Sequence, residues 1–168
     1  MKPLVNEALS VTRDEARFWS KVIKGPREND CWLWTGAVGD DGYGRFWIKT
    51  PTGQQALRPQ RFAHLLLTGE QLDPDTKLLH SCDIPLCVRA TGGTDSHLFP
   101  GTQAENLMDR SQKRRHANAH SWRWRGVGRA NFTARSRQLR DALKEHGWDE
   151  SVIRPLMSGH DPHAPTLF

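Results

Sequence analysis

With 168 residues, 36% of them hydrophobic and a mean hydropathy of −0.69, the chain has room for one compact domain with an appendage and not for two ordinary domains. Its net charge of +5 is unevenly spread: residues 110–140 hold ten Lys or Arg and no Asp or Glu, so this block carries +10 and the remainder −5. The block is the footprint of a polyanion partner, whereas the longest apolar run, Leu65-Leu66-Leu67, is far too short to span a bilayer, and no membrane partner is expected.

Residues 1–11 read as a loosely held leader with no likeness to a signal peptide, since MKPLVNEALS is followed directly by charged residues. Three cysteines cannot all pair, so a reduced, cytoplasmic setting is expected over a disulfide scaffold. Thr12-Arg13-Asp14-Glu15 is a capping box, Ala16, Trp19, Val22 and Ile23 recur at helical spacing, and Gly25-Pro26 stops the run, which predicts an amphipathic scaffold helix. Cys31-Trp32-Leu33-Trp34 alternates and predicts a short strand, with Cys31 and Leu33 on one face and the two tryptophans on the other. By itself Cys31 reads either as a buried thiol or as a metal ligand. Gly39-Asp40-Asp41-Gly42 is a turn and Tyr43 to Ile48 a second strand, so the two strands are expected to form a hairpin.

Pro51-Thr52-Gly53 turns again, Gln54 to Arg58 can add a third strand, and Pro59 suits the first turn of a helix running through Phe62, Leu65 and Leu66 to Gly69. Arg45, Arg58 and Arg61 stand where an arginine can clamp a phosphate, or equally where it is simply solvated. His64, on the same short apolar helix, reads as a core residue. Asp73, Pro74 and Asp75 mark a loop into Lys77-Leu78-Leu79-His80, a strand.

Residues 79–110, LHSCDIPLCVRATGGTDSHLFPGTQAENLMDR, concentrate the chemistry. His80 and Cys82 are two apart, Cys87 follows, and His97 closes the segment. Thr102-Gln103-Ala104-Glu105 is a second capping box: Thr102 can accept from the Glu105 N–H while Glu105 reaches back to the Thr102 N–H. Gly101 supplies the preceding turn. Asn106 then falls in the first helical turn, with Asp109 and Arg110 on its face. The order is that of a metal-stapled loop leading into a rigid helix.

Beyond it, Lys113-Arg114-Arg115-His116 and Ser121-Trp122-Arg123-Trp124-Arg125-Gly126 interleave guanidinium groups with indoles. Arg grips phosphate as a fork and Trp stacks on bases, so Arg114, Arg115, Trp122, Arg123, Trp124 and Arg125 suit tracking along DNA. From Phe132 periodicity returns: Leu139, Ala142 and Leu143 share a face, Gly147 ends the helix and Asp149 can cap another. This is the outline of a helix-turn-helix, but Pro155 speaks against a second helix beginning near Glu150. The competing reading is a helical clamp packed on the rest of the chain.

His80-x-Cys82, Cys87, His97-Leu98, Gly101-Thr102-Gln103 and Asn106, with Cys31-Trp32-Leu33-Trp34-Thr35-Gly36-Ala37 and Gly42-Tyr43-Gly44-Arg45-Phe46 upstream, resemble the zinc-loop branch of the HNH endonucleases, the His-Me finger or ββα-metal superfamily common among phage and homing nucleases. One departure stands out: a longer link, including Thr91-Gly92-Gly93-Thr94, separates Cys87 from His97 than the family's short Asn-Pro-containing one. His64 matches a family histidine usually followed by Arg, where this chain has Leu65.

The resemblance implies an α+β fold: a zinc-stapled ββα-metal nuclease core over 12–115, with an N-terminal helix and β-hairpin, followed by a basic helical extension over 116–168. It implies His80 as general base, Asn106 as ligand of a hydrolytic Mg²⁺ or other divalent ion, and Cys31, Cys82, Cys87 and His97 as a structural Zn²⁺ site. It also implies double-stranded DNA as substrate, action in a bacterial host's cytoplasm, and a possible homodimer, since a single site cuts one strand.

Chemistry narrows the classes. A zinc nucleobase deaminase needs a Glu two residues after a ligand His and a Pro-Cys-x-x-Cys run, and the chain has neither. The Cys₃His set that the resemblance implies is closed, with no position for water, and therefore structural. The remaining alternative is a non-catalytic, zinc-stapled DNA-binding or regulatory protein.

The acid-free block generates a prediction. Each phosphate neutralised contributes about −0.9 to the slope of log K against log salt, so changing Arg114, Arg115, Arg123 and Arg125 to Ala is expected to weaken duplex binding and flatten that slope. An unchanged slope in a salt titration makes the segment a solvated linker.

Overall fold

The computed structural model describes residues 13–112 and 129–158. It is a small α+β arrangement of short antiparallel hairpins and helices. In chain order these are a helix over 13–19 (α1), strands Val22–Lys24 (β1), Trp32–Trp34 (β2), Phe46–Thr50 (β3) and Gly53–Leu57 (β4), helix Pro59–Thr68 (α2), strands Lys77–His80 (β5) and Leu98–Gly101 (β6), and helices Gln103–Gln112 (α3), Arg129–His146 (α4) and Glu150–Ser158 (α5).

The described strands form three separate two-stranded sheets, β1–β2, β3–β4 and β5–β6. The N-terminal helix is shorter than its apolar spacing predicts. It ends at Trp19, where Ser20 and Lys21 N–H donate back to Ala16 and Phe18 carbonyls at 3.0 Å, and the β-branched Val22 and Ile23 pair instead with Trp34 and Leu33. The strand at Cys31 to Trp34 therefore hairpins backward to β1, not forward to Tyr43 to Ile48. That forward partner pairs with β4, Phe46 opposite Leu57 through Thr50 opposite Gly53.

The turn at 39–42 does form, with Gly42 N–H donating to Gly39 O at 3.0 Å and Gly39 N–H to Tyr43 O at 2.9 Å. Its arms pair directly, Val38 opposite Gly44, and Arg45 N–H donates to Ala37 O at 2.8 Å. Trp34 is held between Gly36 and Gly44 and donates from Nε1 to Ala37 O at 3.0 Å. Phe18 stacks on Trp34 with ring centres 5.4 Å apart, and Phe46 and Phe62 complete the aromatic centre at 4.8 Å from each other.

Helix α2 begins with Pro59 at its first turn and ends on Gly69 in the left-handed region (φ 73°), as read from the sequence. Helix α3 starts with the reciprocal capping box: Thr102 N–H donates to Glu105 Oε2 at 2.6 Å, and Glu105 N–H to Thr102 Oγ1 at 3.1 Å. Gly101 differs from its expected role as a turn. It is the last residue of β6, opposite Lys77, and a side chain there would run into Leu79.

The C-terminal helices are a clamp on the same core. Leu139, Leu143 and Ile153 join the buried cluster that holds Phe18, Leu33 and Trp34. Polar ties flank it: Thr133 Oγ1 donates to Asp40 O at 2.7 Å, Arg137 pairs with Asp40 at 3.0 Å, and Arg27 with Glu150 at 2.9 Å. Contrary to the expectation from Pro155, α5 does form. Asp149 caps it, accepting from Ser151 N–H at 2.9 Å. Pro155 forfeits only the bond to Ser151 O, on an exposed residue, while burial of Ile153 holds the helix down.

A methyl at Gly44 would lie 2.6 Å from Trp34 Cδ1 and 2.7 Å from Pro59 Cγ. Gly44→Ala is therefore expected to cost about 1–3 kcal/mol by overpacking, read as a lowered denaturant midpoint at constant metal content.

Candidate functional site

Four ligand-type side chains converge at the base of the β5–β6 hairpin: Cys31, Cys82, Cys87 and His97, whose donor atoms all lie within 4.8 Å of one another, with no disulfide among them. Each is placed by backbone. Cys31 precedes β2; Cys87 bridges Leu33, flanked by Trp34 N–H donating to Leu86 O at 2.9 Å and Val88 N–H to Trp32 O at 2.8 Å. Cys82 follows β5 at a turn where Asp83 takes a left-handed conformation (φ 62°). His97 precedes β6, its N–H donating to Arg89 O and its carbonyl accepting from Ser81 N–H, both at 2.9 Å.

The spacing fits a tetrahedral ion. Metal bonds of about 2.3 Å to sulfur and about 2.0–2.1 Å to nitrogen give a sulfur–nitrogen edge of about 3.5 Å. His97 Nδ1 lies 3.5 Å from Cys31 Sγ and 3.6 Å from Cys87 Sγ. The thiol electrostatics agree. Hydrogen bonds from Cys31 and Cys87, with His80 and His97 adding to them, pull the Cys82 thiol far below its ordinary value. Cys31 is pushed far up by the same hydrogen bonds with Cys82 and Cys87, then by burial, and Cys87 is pushed up chiefly by burial. Thiolates this close repel one another, and a divalent ion would let all three ionise. The set is consistent with a structural metal such as zinc.

A residue that sequence reasoning passed over fixes the long link before His97. Arg89, only 3% exposed, donates to Asp95 O at 2.7 Å, to Asp95 Oδ2 and Asp30 O at 2.9 Å, and to Glu28 O. Thr91 Oγ1 donates to the other Asp95 oxygen at 2.8 Å, and Gly92 takes φ 75°. The Gly-Gly insertion is thereby folded away and His97 reaches the cluster. A buried arginine whose donors end mostly on carbonyls has no short-range sequence signature, so nothing in the chain order marks it.

Next to this cluster is an open cavity of about 740 Å³, lined by both His80 and Asn106 together with Tyr43, Arg58, Gln60, Arg61 and Gln103 among others. His80 ends β5 and Asn106 sits one turn into α3. The three arginines separate here. Arg61 lines the cavity but spends its fork on the carbonyls of Thr76 (2.8 Å), Leu72 and Asp73 (2.7 Å each), pinning the loop into β5. Arg45 is outside the lining and pairs with Asp41 at 2.9 Å. Arg58 lines it, is 43% exposed, and meets Asp41 Oδ2 at 2.8 Å. Burial pushes the Asp41 carboxyl up, but hydrogen bonds from Arg45 and the Tyr43 N–H, with the charge of Arg58, outweigh it and hold the group below its ordinary value.

His64 is buried, as expected, with Nε2 3.4 Å from Glu70. Arg114, Arg115, Trp122, Arg123, Trp124 and Arg125 lie outside the described residues. No described helix is long and apolar enough to cross a membrane.

Against known proteins, no family model and no solved structure matches. Protein 2.8 of Escherichia phage T7 is 34% identical over 85 residues, 51% of this chain and 52% of that protein. Protein 7.7 of the same phage is 32% identical over 88 residues, 52% of this chain and 60% of that protein. The chain thus spans little more than half the length of the curated relatives it matches.

One zinc ion per chain is expected on elemental analysis. Cys31→Ser is expected to lose it along with much of the folded population, as Cys82→Ser and Cys87→Ser do. Because the thiolates must stay deprotonated, retention is expected to fall as pH falls, followed by zinc release to a chromogenic chelator. Full zinc in Cys31→Ser would show that β2 is not tied in through the metal.

Proposed function

We propose that the chain is a metal-dependent DNA endonuclease of the HNH type, with the hairpin β5–β6 and helix α3 as its ββα-metal core. The observation that carries this reading is the shared cavity: His80 at the end of one strand and Asn106 in the first turn of the helix line the same open space, beside a closed Cys₃His cluster.

In this reading the His80 imidazole takes a proton from the attacking water. Asn106 is held by the capping box on a rigid helix turn, with its N–H donating to Thr102 O at 3.0 Å, and offers a neutral oxygen ligand. No carboxylate is among the described residues lining the cavity; neutral Asn106 and Gln103 leave most of an ion's charge for substrate phosphate. A divalent ion such as Mg²⁺, when bound, supplies Lewis-acid stabilisation of the leaving oxygen. Arg58, with Lys77 on the cavity wall, gives the phosphate a cationic border. Double-stranded DNA is the proposed substrate, gripped along the basic segment after α3, in the host cytoplasm, with a homodimer supplying the second strand's cut.

His80→Ala and Asn106→Ala are each expected to lower Mg²⁺-dependent nicking of supercoiled plasmid by about 10²–10⁴-fold while zinc content and circular dichroism stay as in the parent. Near-parental cutting by His80→Ala removes that residue from the reaction. A parent protein that binds duplex DNA and never cuts it would support the non-catalytic alternative.

A further inference from the structure

Between the catalytic pair and the C-terminal clamp stands Tyr43, the single tyrosine of the chain. We propose that Tyr43 is a positioning residue whose ring holds Arg58 and His80 in a fixed relation across the cavity, and that α4 locks it there through Phe132. The proposal rests on the nuclease reading and adds to it a residue outside the base and metal-ligand pair.

The geometry is a chain of tilted ring contacts with a cation over one face. The Tyr43 ring centre lies 6.3 Å from that of His80, the Arg58 guanidinium carbon sits 4.2 Å above the Tyr43 ring, and Phe132 packs behind it at 6.0 Å. A cation over an aromatic face is attracted by the ring quadrupole, so the ring fixes where the Arg58 charge sits. Asp41 holds the other side of that guanidinium. Arg58 is thus set from two directions while still bordering the cavity.

Tyr43 itself has little freedom. Its N–H donates to Asp41 Oδ1 at 3.1 Å, and its carbonyl accepts from Gly39 N–H at 2.9 Å. The glycines on either side are closed to larger residues. Gly42 has φ 78°, and a methyl on it would lie 2.5 Å from the Phe132 ring, while one on Gly44 would strike Trp34 and Pro59. A residue clamped in this way, with the helix α4 tied to the same turn by Thr133 and Arg137, is a prearranged support. The bland alternative is a half-buried aromatic that only fills space.

The test uses the full chain with its metal cluster intact. A ring-based role predicts that Tyr43→Phe cuts supercoiled plasmid within about threefold of the parent, while Tyr43→Leu and Phe132→Leu lose about 10²-fold in kcat with duplex affinity held within about threefold. Loss of cutting in Tyr43→Phe as deep as in Tyr43→Leu assigns the work to the hydroxyl and overturns the proposal, as does full kcat in Tyr43→Leu.

A second readout does not depend on cutting. Protein grown with 3-fluorotyrosine gives one fluorine resonance, from Tyr43, and this is expected to move in each of Arg58→Ala, His80→Ala and Phe132→Leu. A resonance unmoved by Arg58→Ala or by Phe132→Leu overturns the coupling. Absence of cutting by the parent, with the fluorine shifts as expected, overturns the nuclease reading and leaves the support geometry standing.

Discussion

Each described sheet has only two strands, and a two-stranded hairpin is marginal in water by itself. Two of the three hairpins, β1–β2 and β5–β6, converge on Cys31, Cys82, Cys87 and His97, which come from the edge of β2, the turn after β5, the loop bridged to β2, and the residue before β6. Cys31 and His97 are 66 positions apart, so a metal ion held by both would tie together distant parts of the chain. Structural zinc in small finger peptides is worth about 10 kcal/mol or more, comparable with the entire stability of an ordinary domain. The aromatic centre around Phe18 and Trp34 supplies apolar burial next to β2.

The cluster and the cavity are mechanically joined. His80 is two residues from Cys82 on one strand, and Leu98, which pairs with His80, directly follows His97 on the other. Fixing the two ligands therefore fixes the register that presents His80. At the far end of the same hairpin Gly101 leads into Thr102, whose reciprocal bonds with Glu105 set the axis of α3 and hence the direction of Asn106. Stability and site geometry are delivered by the same short strands.

The C-terminal helices contribute burial at a distance. Leu139, Leu143 and Ile153 cover the core, while the Asp40 turn, caught by Thr133 and Arg137, is the turn that carries Tyr43 to the cavity wall.

The sequence alone determined what local chemistry controls. The capping box at Thr102, Pro59 and Gly69 at the ends of α2, and the Gly147–Asp149 break are each written within a few residues, because caps and turns are short-range demands. Partner choice was not legible. Val22 and Ile23 fit a helix face as well as a strand, and only pairing with Leu33 and Trp34 decided the matter. Cys31 could be a buried thiol or a ligand until β2 laid it against Cys87 and His97. Arg45, Arg58 and Arg61 are alike as letters; what separated them was which carbonyls and which carboxylate the tertiary fold brought within reach, since a guanidinium binds whatever acceptor lies at its fork.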